Sequence, residues 1–104
     1  MDRDIRGFDW DDGNRVHCQK HAVTVAEIEG LLRSGPRIAP DFKYAHLEDR
    51  LIAVGRNEQG RPLFVAFTIR KLAGRRLIRP VSARYMHRKE VEYYEKEIAK
   101  AGKR

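Results

Sequence analysis

Three apolar runs separated by two short turn-forming segments limit this chain more than any other feature. Leu51-Ile52-Ala53-Val54-Gly55 reads as one strand and Leu63 to Arg70 as a second, with Asn57-Glu58-Gln59-Gly60-Arg61-Pro62 as the turn between them. After a second turn at Lys71 to Gly74, Arg75 to Arg84 reads as a third. Strands joined by turns this short predict an antiparallel meander. Along the second strand Leu63, Val65, Phe67 and Ile69 share one face, and Phe64, Ala66, Thr68 and Arg70 the other. Pro80 cannot donate to a ladder, so the third strand is expected to be an edge there or to carry a bulge.

Helical signals flank the meander. Thr24-Val25-Ala26-Glu27 matches a capping box, with Val23 and Ile28 at staple positions. Val25, Ile28, Leu31 and Leu32 then form one apolar stripe, and Ser34-Gly35-Pro36 ends the helix. Upstream, Phe8-Asp9-Trp10 alternates like a short strand. Asp11 and Asp12 offer caps to a helix reaching about Lys20, with Val16 and Cys18 among its apolar contacts. Arg37 to Arg50 is mixed in charge and gives only a short strand near Ile38. The last helix is predicted from about His87 to Lys100, with Val91, Tyr94 and Ile98 on one side and a Glu92–Lys96 pair on the other. The expected class is α+β: two N-terminal helices and one C-terminal helix packed on one face of a small antiparallel sheet. Phe8, Trp10, Tyr93 and Tyr94 are assigned mainly to its core.

A chain of 104 residues bounds this to a single domain over 1–104, with a frayed basic tail at 100–104. A net charge of +7 directs attention to nucleic acid, an acidic protein or an anionic surface. The single cysteine excludes an internal disulfide and fits a reducing compartment. No apolar run approaches the roughly 20 residues that span a bilayer, and no signal-peptide core follows Met1-Asp2-Arg3-Asp4. The simplest reading is a cytoplasmic protein with no cofactor, no metal and no membrane partner.

The order of several short motifs resembles the BrnT toxins of bacterial type II toxin–antitoxin systems. They are Phe8-Asp9-Trp10-Asp11, Asn14, Lys20-His21-Ala22-Val23, Glu48-Asp49-Arg50, and Ile52 to Arg56. Phe67-Thr68-Ile69-Arg70, Val81-Ser82-Ala83-Arg84, Arg88-Lys89-Glu90 and Tyr94 complete the set, so the likeness covers about residues 8 to 95 (8–99 for the implied domain). The resemblance implies a RelE-like fold, an RNA substrate and translation arrest. It further implies pairing with a BrnA-like ribbon-helix-helix antitoxin whose complex binds its own promoter DNA. Four positions depart from the family pattern. Ala22 stands where Gly is usual, Ile69 replaces an acidic residue, Tyr85 replaces a basic one, and Pro80 interrupts the last strand.

RNA can be cleaved without a metal when its 2′-hydroxyl attacks the neighbouring phosphate. That step needs a base, an acid and a cation for the charge building on the phosphoryl oxygens. Arg84 and Arg70 suit the cation, because a guanidinium holds two phosphate oxygens and stays charged. In the resemblance they occupy functional positions, as do Lys20 and His21. These four are the catalytic candidates. Arg56, Tyr85, His87 and Arg88 are candidates for RNA binding, Tyr85 by stacking on an unpaired base. Plainer roles stand beside these: surface ion pairs for the arginines, a helix end for His21, a cap contact for His87, a half-buried aromatic for Tyr85. The competing function is a non-catalytic co-repressor or nucleic-acid-binding module that keeps the toxin fold.

Overall fold

The three strands of the meander form, and two shorter ones join them close to the expected strands at Phe8 and Ile38. The computed structural model describes residues 5–41 and 49–102. Its strands are β1 (Ile5–Phe8), β2 (Arg37–Pro40), β3 (Leu51–Arg56), β4 (Pro62–Leu72) and β5 (Arg75–Tyr85), in the sheet order β1-β5-β4-β3-β2. Neighbours from β2 to β5 are antiparallel, while β1 runs parallel to β5, so the sheet is mixed. Its helices are α1 (Asp12–Cys18), α2 (Val25–Arg33) and α3 (Arg88–Gly102). Glu48 of the family motif and the tail residues 103–104 lie outside the described residues. The rest of the expected tail is helical, since α3 continues to Gly102.

Both faces of the sheet are covered, where packing on one was expected. Leu63, Val65, Phe67, Ile78 and Ala83 pack with Cys18, Val23, Ile28, Leu31 and Leu32 of the α1–α2 layer. Ile52, Val54, Phe64 and Ala66 point the other way, where Val91, Tyr94 and Ile98 of α3 close over them. A period-2 strand whose two faces are both apolar needs a cover on each, and the alternation of β4 already contained that demand.

Both N-terminal helices begin with reciprocal capping. Asp11 and Asn14 exchange bonds at α1, and Thr24 and Glu27 at α2. Such a cap is worth about 1 kcal/mol. α2 then lies so close to β3 that a Cβ on Gly55 would come within 2.5 Å of Leu31 Cδ1. At the other end of the meander, Ala73 and Gly74 both take positive φ (51° and 77°) between β4 and β5. That is the backbone of a two-residue hairpin turn matched to strand twist, and it lets both strands run longer than predicted.

Pro80 sits at a bulge, one of its two expected settings. β5 is paired on both sides, and its register against β4 slips between Ala66↔Ser82 and Phe67↔Pro80, leaving Val81 as the extra residue. On the opposite side of β5, the amide of Asp9 reaches the carbonyl of Ile78, and the chain then turns away into α1. Strand β1 therefore stops at Phe8, short of the predicted Phe8-Asp9-Trp10. Trp10 instead donates its indole N–H to Glu29 at 2.8 Å.

Two core assignments are corrected. Val16 is 71% exposed and Tyr93 51%, whereas Cys18 and Tyr94 pack as expected. On α3 it is Arg88, not Lys96, that pairs with Glu92, at 3.8 Å. No helix among the described residues is long and apolar enough to cross a membrane.

Candidate active site

β5 carries Arg84 and Tyr85 to the same end of the sheet and turns them to opposite faces. Arg84 lies across from Phe64, and Tyr85 across from Leu63. Each then finds its partner in a different layer.

On the α3 face, Arg84 Nη1 reaches both carboxylate oxygens of Glu90, at 2.8 and 2.7 Å. Its guanidinium stands 4.8 Å from the Phe64 ring centroid. Glu90 belongs to the first turn of α3, whose opening amides at Glu90 and Val91 donate to the carbonyl of His87. The His87 imidazole is 74% exposed, with Nε2 3.6 Å from Glu90 Oε1. Arg84, Glu90 and His87 thus form one group at the strand-to-helix corner. Tyr94 packs beside it on Phe64, with ring centroids 5.2 Å apart, and burial raises its phenol above the ordinary range.

On the α2 face, Tyr85 donates its hydroxyl to Glu27, 2.9 and 2.7 Å from the two oxygens. Asn57 Nδ2 adds a bond at 2.9 Å, and the Arg61 guanidinium stacks 3.5 Å from the Tyr85 centroid. The Asn57 bond, then those from Tyr85 and Thr24, hold the Glu27 carboxyl below its ordinary range against an opposing push from burial. The Glu27 bond and burial raise the Tyr85 phenol. Arg56, on the neighbouring turn, donates to the Gly60 carbonyl at 2.9 Å. It also borders a cavity of about 610 Å³ between α2 and that turn, with Glu27 and Asn57.

Arg70 stands apart from Arg84. It lies six positions along β4 from Phe64, about 20 Å at roughly 3.3 Å per residue, and pairs with Asp9 at 3.1 Å. Arg79 bridges the same carboxylate and that of Asp11, at 3.4 and 2.9 Å. The two candidates for the cationic role are therefore too far apart to hold one phosphate together. Lys20 and His21 are exposed in the connection between α1 and α2, flanked by Cys18 and Val23 of the α1–α2 layer. The sheet lies between that layer and the Arg84 group. Cys18, buried in the core, has its thiol pushed up to about 11 by burial, as befits a packing residue. Among the described residues no group of three or more His, Cys, Asp or Glu is placed to hold a metal ion.

Glu90 and Glu27 are not among the functional candidates that sequence reasoning found. Glu90 had a usable signal, three residues from His87 and six from Arg84 across a strand–helix corner. Glu27 had none, because its capping role accounted for it fully and its partner Tyr85 is 58 residues away.

No curated protein matches the chain. The family model for the ribonuclease toxin BrnT of type II toxin–antitoxin systems matches residues 10–90, from Trp10 through Glu90. That span includes α1, α2, the whole sheet after β1, and the Arg84–His87–Glu90 corner. The chain belongs to the BrnT family of ribonuclease toxins.

Proposed function

We propose that the chain cuts RNA without a metal ion and thereby arrests translation, with Arg84 as the cation on the phosphate under attack. The observation that carries this is the state of the Arg84 guanidinium. Among the described residues its hydrogen bonds all run from Nη1 to Glu90, so most of the five N–H donors of an arginine remain for phosphate oxygens. The side chain is one-third exposed (33%), beside an accessible imidazole. In this reading Arg70, held by Asp9, meets the RNA chain away from the cut. Lys20 and His21, beyond the sheet, take no part in the chemical step. Tyr85 supports the corner from behind, while Arg56, His87 and Arg88 approach the RNA.

Membership in a type II system brings an RNA substrate and an antitoxin partner. We extend the proposal to a BrnA-like ribbon-helix-helix antitoxin that silences cleavage, with promoter DNA bound by the complex and both proteins in the cytoplasm. The net charge of +7 supports contact with polyanions. Incubation of the purified chain with a long RNA tests the core of this reading. Cleavage is expected with or without EDTA, and is lost in Arg84→Ala together with growth arrest. Wild-type cleavage by Arg84→Ala, or cleavage abolished by EDTA, overturns it. The ion pair that neutralises Arg84 favours one other reading, a co-repressor that binds without cutting. An intact RNA after incubation with wild-type protein, together with promoter binding by the antitoxin complex, is its signature.

A further inference from the structure

We propose that Glu90 is the general base of the cleavage step and His87 the general acid, an assignment that rests on the ribonuclease reading above. The Glu90 carboxylate lies against Arg84 Nη1 through both oxygens, at 2.8 and 2.7 Å, as an anionic substrate group would. An RNA phosphate approaching the same guanidinium competes with that carboxylate for donors. It leaves Glu90 beside the reacting atoms with freed lone pairs, within reach of a 2′-hydroxyl proton. Glu90 is 26% exposed, enough to be met by RNA, while its backbone is fixed in the first turn of α3.

The remaining need is a proton for the leaving oxygen, and among the described residues the imidazole beside Glu90 is that of His87. In-line displacement places acid and base on opposite sides of phosphorus. In the free protein the two groups are 3.6 Å apart. His87 is 74% exposed, so its side chain can turn outward as RNA seats. The groups facing Glu90 are Arg84 from β5 and His87 just before α3, with Tyr94 one turn along the helix within range of its charge.

The step balances as follows. Glu90 takes the 2′-hydroxyl proton as the 2′-oxygen bonds to phosphorus, and the bond from phosphorus to the 5′-oxygen breaks. Protonated His87 gives its proton to that oxygen, leaving a 2′,3′-cyclic phosphate and a 5′-hydroxyl end. Arg84 holds the phosphoryl oxygens throughout.

Single-turnover cleavage of a short RNA, followed across pH, tests this, alongside binding of the same RNA with 2′-O-methyl groups. Glu90→Gln keeps a hydrogen-bonding group opposite Arg84. It is expected to cleave at least about 100-fold more slowly, to lose the acid limb of the pH–rate profile, and to bind the uncleavable RNA as tightly as wild type or more so. His87→Ala, a change at an exposed side chain, is expected to lose the alkaline limb. A merely structural Glu90 predicts weakened binding and an unchanged profile. That result, or an alkaline limb retained in His87→Ala, overturns the assignment while wild-type cleavage stands. Wild-type protein that leaves RNA intact overturns the ribonuclease reading itself.

Discussion

The side-chain amide of Asn14 donates to the carbonyl of Pro80 at 2.8 Å, across 66 residues of sequence. The same NH₂ group reaches the Asp9 carbonyl at 3.0 Å, and Asn14 Oδ1 accepts from the Asp11 amide at 2.8 Å. Along this side of β5, the carbonyl of Ile78 is taken by the backbone of Asp9 and that of Pro80 by a side chain. Asn14 thus continues the pairing that β1 leaves unfinished, and it is itself 6% exposed. Asn14→Ala leaves two carbonyls and a helix cap without these partners. The expected loss is about 2–4 kcal/mol, read as a lower urea midpoint at unchanged slope.

Tyr85 and Arg84 are chain neighbours with different duties. Tyr85→Phe removes the bond to Glu27 but keeps the ring under Arg61. It is expected to cost about 1 kcal/mol of stability, the ordinary value for a charge-assisted bond reduced for solvent access. RNA cleavage at saturating substrate is expected to stay within about twofold of wild type. A loss comparable to that of Arg84→Ala would place Tyr85 in the chemistry after all.

Two carboxylates make folding sensitive to acid. The Asn14 amide, then the Arg79 guanidinium, lower Asp11 from its ordinary 3.8. Glu27 is lowered from 4.5, first by Asn57. Depressed in the fold, both groups contribute stability that is present above their ordinary values and lost as pH falls through the folded ones. Tyr85, raised in the fold, contributes below its ordinary 10.0 and loses that as pH climbs through its folded value. Urea midpoints of wild type and Glu27→Gln are therefore expected to converge as pH falls below the ordinary 4.5 of Glu27 and through its folded value. Parallel curves down to the acid transition would refute this.

Ala22 holds φ at 68°, a left-handed setting that costs an L-residue about 1 kcal/mol. Ala22→Gly is expected to stabilise the protein by up to about 1 kcal/mol, with a melting temperature a few degrees higher. Ala73 at 51° invites the same reasoning, and Ala73→Asn completes an Asn-Gly hairpin turn with Gly74. A lower melting temperature in both variants would contradict the strain argument.

What could be read from the chain was what local rules decide. The Thr24–Glu27 cap, the two faces of β4 and a bulge at Pro80 each follow from a few adjacent residues, and each forms. What local rules leave open are relations between distant segments. Lys20-His21 and Arg70 were grouped with Arg84 because all four are cationic or titratable near element ends. Nothing local says which face or which end of the sheet each would reach. Glu27 escaped notice because a side chain that satisfies one rule gives no sign of a second partner.

The bulge at Val81 has a bearing on the toxin's chemistry. Before it, Ile78 and Pro80 share the face of Phe67 and Ile69; after it, that face passes to Ala83 and Tyr85. The extra residue reverses the parity of the strand, so an even-numbered position that would have faced α2 faces α3 instead. Were Val81 to take a regular place in the ladder, the same sequence would carry Arg84 towards Glu27 and Tyr85 towards Glu90. A proline intolerable to a regular ladder thus acts as a phase marker, and one residue held out of the ladder determines which of two neighbouring side chains reaches Glu90 and which Glu27.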